Sequence, residues 1–337
     1  MNQADGGYLL SVVVPAHNEA AGIVRAVDAI GNVLASCASN WELIIVDDGS
    51  LDATFERVSE LASRDVRVRG IRLSRNFGKE AALLAGLRAA KGDAVVTIDA
   101  DLQHPPHLIP AMIECWRNGA RVVDAVKRSR ERDSVFARAR ARFFNTLLSK
   151  LGGINLQNSS DFKLLDRSVV NTITLDLPER ERFYRGLSDW VGYDHASIEF
   201  DVDARAAGEG KWTLWKLIGL AITAIVSFTS APLRIVTILG FTTLVLGFLI
   251  AAEALIGWLQ GIAVSGFATT FITLLIIGSF IMISLGIIGE YIAKIYDEIK
   301  ARPAYLVERE VGAGVEGDAI ATPPVPAPEK SDSRSSA

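Results

Sequence analysis

Residues 95–106 read VVTIDADLQHPP. A run of valine, threonine and isoleucine leads directly into two carboxylates, Asp99 and Asp101, and then into Pro105 and Pro106. Short apolar runs that end in polar turn residues are typical of strands buried on both faces of a parallel sheet. The stretch therefore predicts a buried strand with acids at its carboxyl end.

The same pattern recurs on the N-terminal side of this stretch. Strand-like and helix-like segments alternate, the strands at 8–16, 41–50, 66–74 and 93–101 and the helices at 20–36, 51–63 and 78–90. This order predicts an α/β fold, with a Rossmann-like, mostly parallel sheet and helices on both faces. Further strands are expected at 161–166 and 196–205. In such sheets ligands bind beyond the carboxyl ends of the strands.

The apolar content of the chain is concentrated near its C-terminus. Of 337 residues 50% are hydrophobic, and two 23-residue runs, 235–257 and 267–289, contain only one charge, Glu253. At ~1.5 Å per helical residue each run spans roughly 35 Å, enough for a hydrocarbon core of about 30 Å. The runs predict a two-helix transmembrane hairpin, although two buried helices of a soluble core have the same composition.

Charges around the two runs predict their orientation. The link 258–267 has no Lys or Arg, whereas basic residues flank the outer ends, namely Arg234, Lys294, Lys300 and Arg302. Positive flanks mark the cytoplasmic side. We therefore expect a multi-pass protein of the cell (inner) membrane with both termini in the cytoplasm.

The predicted domain organisation has four parts. Residues 1–210 form a cytoplasmic α/β domain, and 211–231, with tryptophans beside lysines, form an interfacial amphipathic helix. Residues 232–292 hold the hairpin, and 293–337 form a cytoplasmic tail. From about 312 the tail is rich in Pro, Ala, Ser and Gly and is expected to be disordered.

Charge, cysteines and glycines add little about partners. The net charge of −4 gives no indication of nucleic acid binding. Cys37 and Cys115 make no metal-binding spacing, in agreement with a reducing cytosol. Gly278 and Gly286 in the second apolar run permit close helix packing, so a homo-oligomer is possible.

Asp99 and Asp101 predict a metal site. On an extended strand alternate side chains point to the same side, so the two carboxylates converge, and a cation would offset their repulsion. Mg²⁺ or Mn²⁺ takes oxygen ligands, and Mg²⁺ typically combines one or two carboxylates with substrate phosphates. Gln103 supplies another oxygen nearby. The three residues therefore predict a metal–diphosphate site, although such acid pairs also occur on solvated loops.

A second acidic cluster, Asp47-Asp48-Gly49-Ser50, follows an earlier strand. One interpretation is an ordinary turn in which Ser50 or Asp52 caps the next helix. The other is a site whose carboxylate accepts hydrogen bonds from a nucleobase or ribose. The residues themselves leave both open.

Several blocks together resemble a known family. SVVVPAHNEA, LIIVDDGSLDAT, LSRNFGKEAALLAG and IDADLQHPP resemble, in order, the blocks of family 2 glycosyltransferases with the GT-A fold. DFKLLDR, ERFYRGLSDWVG and RAAGEGKWTLWKL, followed by two apolar runs, resemble its polyprenyl-phosphate branch. That branch includes bactoprenol glucosyltransferases and dolichyl-phosphate mannose synthases. The resemblance covers roughly residues 8–310.

The resemblance assigns roles to particular residues. It implies a nucleotide-sugar donor site comprising Pro15, His17, Glu19, Asp47, Asp48, Arg75, Lys79, Asp99 and Gln103. Within that set it implies that Asp48, with Asp47, contacts the base. His17 stands where the family often has an aromatic residue. Asp99, Asp101 and Gln103 match the metal and diphosphate site.

The resemblance also implies a second phosphate site and the catalytic residues. Arg128, Arg205 and Lys211 match basic positions for the acceptor phosphate, and arginine binds phosphate bidentately. The implied catalytic set is Asp99, Asp101, Asp161 and Arg205. Asp161 is a candidate general base, but it could equally orient the sugar or hold Lys163.

The function implied by the resemblance is an inverting sugar transfer at the cytoplasmic membrane face. Its donor is expected to be UDP-glucose, its acceptor undecaprenyl phosphate, its cofactor Mg²⁺ or Mn²⁺, and its product a precursor for modifying lipopolysaccharide or another cell-envelope glycan. GDP-mannose, UDP-GlcNAc or a UDP-aminoarabinose derivative are alternative donors. A non-catalytic nucleotide-sugar-binding scaffold is another alternative. The sequence has no Q-x-x-R-W block, which disfavours a processive polysaccharide synthase.

Overall fold

The computed structural model describes residues 7–127, 160–177, 179, 183–200, 231–261 and 266–312. The predicted acceptor residues Arg128, Arg205 and Lys211 lie outside these ranges. So do nearly all of the predicted interfacial helix and the part of the predicted tail beyond 312.

Strands and helices alternate through the first part of the chain, as predicted. The strands are β1 (Leu9–Ala16), β2 (Asn40–Asp47), β3 (Val68–Leu73), β4 (Ala94–Thr97), β5 (Val122–Lys127), β6 (Lys163–Asp166), β7 (His195–Phe200) and β8 (Val307–Val311). The helices are α1 (Ile23–Cys37), α2 (Thr54–Arg64), α3 (Lys79–Ala89), α4 (Ile109–Arg117), α5 (Arg167–Asn171), α6 (Tyr184–Trp190), α7 (Ala231–Leu259) and α8 (Phe267–Ile299). A 3₁₀ turn, Pro106–Leu108, precedes α4, and a π turn, Thr172–Asp176, follows α5.

The strands form one sheet in the order β7-β5-β6-β4-β1-β2-β3-β8. β1 to β4 pair in parallel, and β5 pairs in parallel with β7. β6 is antiparallel to both β4 and β5, and β8 is antiparallel to β3. The predicted α/β fold with a mostly parallel sheet is therefore confirmed.

Two apolar cores lie on opposite faces of this sheet. One face packs against α1 and α4, and α1 buries residues at helical spacing, including Ile23, Val27, Ile30 and Leu34. The other face packs against α3, whose residues from Ala81 to Leu87 are all buried. Because helices cover both faces, the central strands are mostly apolar, with the buried pair Ser11 and Glu42 as an exception inside β1 and β2.

The two C-terminal helices match the two predicted apolar runs and extend beyond them. Pro232–Gly257 and Thr270–Ile299 are long and apolar enough to cross a membrane by length and composition. Their large side chains are exposed, among them Phe241, Phe248 and Met282. Exposed apolar surface of this size indicates contact with lipid or another apolar partner.

The first residues of the predicted tail, before about 312, include a helix end and a strand. α8 continues to Ile299, and the chain then returns to the sheet as β8. Ser74 N donates to Leu306 O over 2.9 Å, which extends this pairing by one more contact. The sequence VEREV is largely charged, which an edge strand tolerates because it needs few apolar residues, and no strand was predicted here.

Candidate active site

An open cleft of about 370 Å³ lies beyond the carboxyl ends of β1, β2 and β4. Most of the predicted donor residues line it, together with residues that had no predicted role. The lining residues are Pro15, Ala16, His17, Glu19, Asp48, Asn76, Gly78, Lys79, Ala82, Asp99, Ala100 and Asp101. The parallel strands bring these separate sequence blocks to one edge of the sheet, as the α/β topology requires.

Asp48 holds the loop that leads into α3. Its Oδ1 accepts a hydrogen bond from Phe77 N over 2.7 Å, and its Oδ2 accepts one from Gly78 N over 2.9 Å. Asp48 is only 3% exposed, so these bonds are shielded from water. In this structure Asp48 therefore shapes the cleft; a contact between Asp48 and the nucleotide base stays a prediction.

The Asp47–Ser50 turn packs closely against the same loop. Gly49 has a φ of +60°, and a Cβ at this position would lie 2.3 Å from the carbonyl carbon of Arg75. Ser50 N donates to Asp47 Oδ1 over 3.1 Å, which closes the turn. Asp47 is fully buried and is not among the cleft-lining residues.

His17 connects three loops. Its Nδ1 lies 2.8 Å from Asp48 O, which can only accept, so Nδ1 carries the proton. Its Nε2 lies 3.1 Å from the side-chain amide nitrogens of both Asn18 and Asn76, and it accepts from them. Both ring nitrogens are thus engaged in holding the rim of the cleft.

The acidic pair lies just beyond β4, in the turn that follows it. The strand ends at Thr97, so Asp99 and Asp101 do not converge along a strand as predicted, although both line the cleft. Leu102 has a φ of 56°, unusual for a residue with a side chain. The turn lets Gln103 N donate to Asp101 Oδ1 over 2.9 Å.

The acids around the cleft fit a divalent cation only with help from other oxygens. Burial raises the pKa of the Glu19 carboxyl, and the negative charges of Asp101, Asp52 and Asp99 raise it further. A cation among these carboxylates would relieve their repulsion. The described residues contain no cluster of three or more His, Cys, Asp or Glu side chains able to hold a metal. Asp99 and Asp101 would therefore share the ion with phosphate oxygens, as Mg²⁺ sites commonly do.

A chain of ion pairs runs from the cleft into the protein. Lys79 Nζ lies 2.6 Å from Asp99 Oδ1 and 2.6 Å from Asp161 Oδ2. Arg185 on α6 donates to both oxygens of Asp161, from Nε over 2.6 Å and from Nη2 over 2.8 Å. Asp161 is thus held by two cations, while Lys163 donates to Asp124.

These contacts set the charge state of Asp161. Burial favours the neutral acid, but the hydrogen bonds and positive charges of Arg185 and Lys79 outweigh it and hold the pKa of Asp161 far below its usual range. A carboxylate with so low a pKa is a weak proton acceptor. The geometry therefore favours an orienting role for Asp161 over a role as general base.

Glu80 and Tyr184 hold α6, the helix that carries Arg185, in place. Tyr184 N, at the start of α6, donates to Glu80 Oε2 over 2.9 Å. Burial raises the pKa of Glu80 to about 7. The Tyr184 hydroxyl lies 2.9 Å from Thr97 Oγ1, which itself donates to Asp161 O. α6 is therefore fixed to β4 and α3, and this places Arg185.

Some predicted residues lie away from the cleft lining, and some important ones were not predicted. Arg75 stacks over the Phe77 ring at 4.1 Å, and Gln103 contributes its backbone N–H. Neither is among the cleft-lining residues. Arg185 had no predicted role, although it belongs to the quoted block ERFYRGLSDWVG.

Comparison with known proteins defines the class of this protein. Residues 11–174 match the family described as glycosyl transferase family 2. The chain is 39% identical over 300 residues to an uncharacterized glycosyltransferase of Synechocystis sp., covering 88% of this chain and 94% of that protein. The chain belongs to glycosyl transferase family 2 and is a glycosyltransferase.

A relative whose name states a specific reaction is also similar to this chain, as is a solved structure. A SfII prophage-derived bactoprenol glucosyl transferase of Shigella flexneri is 38% identical over 302 residues, covering 89% of this chain and 97% of that protein. Among solved structures, glucosyl-3-phosphoglycerate synthase from Mycobacterium tuberculosis in complex with UDP matches with a TM-score of 0.45 and 24% identity. That match covers 66% of this chain and 79% of the other.

Proposed function

We propose that this glycosyltransferase moves glucose from UDP-glucose to undecaprenyl phosphate, with inversion at the anomeric carbon. The product would be a lipid-linked sugar for modifying a cell-envelope glycan such as lipopolysaccharide. The observation that carries the proposal is one cleft in which acids suited to a metal–diphosphate lie beside the Lys79–Asp161–Arg185 ion pairs. Full-length similarity to relatives named bactoprenol glucosyl transferase supports the lipid acceptor.

The proposed reaction needs little acid–base chemistry. A phosphate monoester has a second pKa of about 6, so much of the acceptor is dianionic at neutral pH. An acceptor oxygen attacks C1 of the sugar, and the bond from C1 to the diphosphate oxygen breaks with its electron pair leaving on UDP. No proton has to be removed from the nucleophile. The low pKa of Asp161 agrees with this, because a base is not required.

Positive charge beside the cleft supports departure of the diphosphate. Lys79 lines the cleft, and Arg185 lies behind it on the other side of Asp161. Preorganised cations near developing negative charge lower the barrier without reorganising in the reaction. Arg128, Arg205 and Lys211 remain the predicted contacts of the acceptor phosphate, and they lie outside the described residues.

A divalent ion, Mg²⁺ or Mn²⁺, would be held by Asp99 and Asp101 together with the donor diphosphate. When bound it neutralises charge on the leaving group. Asp101 is the more available ligand, because Asp99 is already paired with Lys79. Binding of donor and metal therefore requires Lys79 to share or release Asp99.

The two apolar helices would place this cleft at the membrane. We propose that α7 and α8 form a hairpin in the bilayer, with the cleft on the cytoplasmic side, because basic residues flank the outer ends of the helices. A polyprenyl phosphate has its headgroup at the same surface. The acceptor therefore reaches the cleft without leaving the membrane.

The test is transfer of radiolabel into the organic phase. Membranes containing the full chain are incubated with undecaprenyl phosphate and labelled UDP-glucose, GDP-mannose, UDP-GlcNAc or a UDP-aminoarabinose derivative, with Mg²⁺, Mn²⁺ or a chelator. We expect label in lipid from UDP-glucose, lost with chelator and in Asp101→Asn. Lipid label from a different donor would correct the sugar. No lipid label from any donor, with folded protein, would reject the acceptor.

A further inference from the structure

β8 connects the end of the apolar hairpin to the sheet beside the Asp47–Ser50 turn. It pairs antiparallel with β3, and Arg72 lies opposite Arg309. The next pair is Leu73 with Val307, so the register shifts and Glu308 has no opposite residue. An extra residue of this kind is a β-bulge, which changes the direction of a side chain. Here the bulge directs Glu308 towards Arg72.

Arg72 contacts both β8 and the Asp47–Ser50 turn. Its Nε lies 3.2 Å from Glu308 Oε2 and 3.7 Å from Asp47 Oδ2. Its Nη2 donates to Ser50 O over 3.2 Å. The guanidinium therefore lies between the C-terminal strand and the Asp47–Ser50 turn, whose second residue, Asp48, lines the cleft.

The Asp47–Ser50 turn is hydrogen-bonded to the loop after β1. Ser50 Oγ accepts a hydrogen bond from Asn18 N over 2.9 Å. Asn18 Oδ1 in turn accepts from Leu51 N over 2.9 Å. Asn18 lies between His17 and Glu19, both of which line the cleft. A shift of Arg72 would thus move two sides of the cleft together.

The position of Arg72 matters because Arg72 compensates the buried charge of Asp47. Its side chain is fully buried, and among the described residues its Oδ2 accepts no hydrogen bond. A buried carboxylate that loses a compensating charge is strongly destabilised. Arg72 is 26% exposed and Glu308 52% exposed, so Glu308 reaches the guanidinium from the solvent side.

We propose that Glu308 is a positioning residue for nucleotide binding, acting through Arg72 on the Asp47–Ser50 turn. The strand that ends the membrane hairpin thereby contributes to donor affinity, although it does not touch the cleft. This inference rests on the proposed function, because it takes the cleft to bind a nucleoside diphosphate.

The test uses the full chain in lipid nanodiscs with Mn²⁺. Binding of UDP and of GDP is measured by calorimetry for the wild type, Glu308→Gln, Glu308→Asp and the control Glu310→Gln on the same strand. We expect Glu308→Gln to weaken UDP binding by about threefold to tenfold, the range for a lost contact worth about 0.7–1.4 kcal/mol. Glu308→Asp should recover part of the loss, and Glu310→Gln should bind as the wild type does.

Kinetics and unfolding separate positioning from simple stability. We expect Glu308→Gln to raise KM for the nucleotide-sugar while kcat and KM for polyprenyl phosphate stay unchanged. Wild-type UDP affinity in Glu308→Gln would overturn the proposal, whether or not the melting temperature of this variant is lower. Failure of sugar transfer with UDP binding intact would reject only the proposed acceptor. A wild type that binds neither UDP nor GDP would overturn both proposals.

Discussion

The ammonium group of Lys79 lies 2.6 Å from Oδ1 of Asp99. A second carboxylate, Asp161, lies at the same distance from this ammonium group. Burial lowers the pKa of Lys79, but the charges and hydrogen bonds of Asp161 and Asp99 outweigh it, and the pKa is raised overall. Lys79 therefore stays charged at neutral pH between two acids that would otherwise repel each other.

Replacing Lys79 tests whether this cation acts on the donor. Lys79→Met removes the charge and leaves Asp99 and Asp161 without a shared partner. We expect kcat/KM for the nucleotide-sugar to fall by about 100-fold or more, the usual cost of losing one stabilising donor at a reacting centre. The measurement is steady-state transfer with the donor concentration varied.

Arg75 is the matched control for this experiment. It is a basic residue of the same sequence block, but its side chain stacks on Phe77 and donates to Asn76 O. We expect Arg75→Met to change kcat/KM by less than about threefold, since it removes a contact at an exposed site. A larger loss in Arg75→Met than in Lys79→Met would contradict the geometry of the cleft.

The pH dependence of transfer tests the role of Asp161. Because its pKa is far below neutral, Asp161 is ionised throughout the working range. We expect the acid limb of kcat/KM for the acceptor to lie near the second pKa of a phosphate monoester, about 6. Arg185→Met removes one cation that lowers the pKa of Asp161, yet it should not move this limb. A limb that shifts upward in Arg185→Met would identify Asp161 as the base.

Asp161 also contributes to stability in a definite pH window. Its pKa is lowered in the folded protein, so it stabilises the fold above the ordinary carboxyl pKa of about 4, and this contribution is lost as the pH falls through the folded value. Asp161→Asn should therefore be less stable than the wild type at pH 7. The difference in unfolding temperature should shrink in acid. An equal difference at pH 7 and pH 3 would exclude this linkage.

Glu80 should affect the pH dependence of stability in the opposite direction to Asp161. Its pKa is raised from 4.5 to about 7, so the folded protein keeps a proton that the unfolded chain has released. Stability should therefore decline as the pH rises from about 4.5 to 7, by about 1–3 kcal/mol. Glu80→Gln keeps an oxygen that can accept from Tyr184 N, and it should remove the decline. Thermal unfolding of both proteins from pH 5 to pH 8 measures this.

Gly49 tests the packing of the turn beneath the cleft. Gly49→Ala would force a Cβ to within 2.3 Å of the Arg75 backbone at a φ of +60°. We expect it to lower the free energy of unfolding by more than about 2 kcal/mol and to weaken UDP binding. Gly119→Ala is the control, because its φ is also positive, at +105°, but no atom lies within 4 Å of the added Cβ. Equal losses in both variants would show that strain alone matters.

The alternation of the chain predicted much of the sheet. The predicted strands at 8–16, 41–50 and 66–74 correspond to Leu9–Ala16, Asn40–Asp47 and Val68–Leu73. Each pattern is local, since burial on both faces requires an unbroken apolar run. The end of the first strand was predicted correctly, whereas the ends of the other two were predicted too late, because the acid and turn residues that follow were counted with the strands.

β8 could not be predicted in this way. Its five residues include Glu308, Arg309 and Glu310, and as an edge strand it is stabilised by backbone pairing with β3 rather than by apolar side chains. Backbone pairing depends on where the chain returns, which is a property of the whole fold. Charged composition at an edge is normal for a sheet that avoids further pairing.

The sequence by itself predicted most of the donor residues that meet at the cleft edge, because parallel strands bring their carboxyl ends together whatever the details of packing. It did not determine how those residues are used. Lys79 pairs with Asp161, 82 positions away, and Asp161 pairs with Arg185, 24 positions away. These pairs form because folding brings the segments that carry the residues close together. Only the tertiary structure therefore decided that Asp161 is paired with two cations, Lys79 and Arg185.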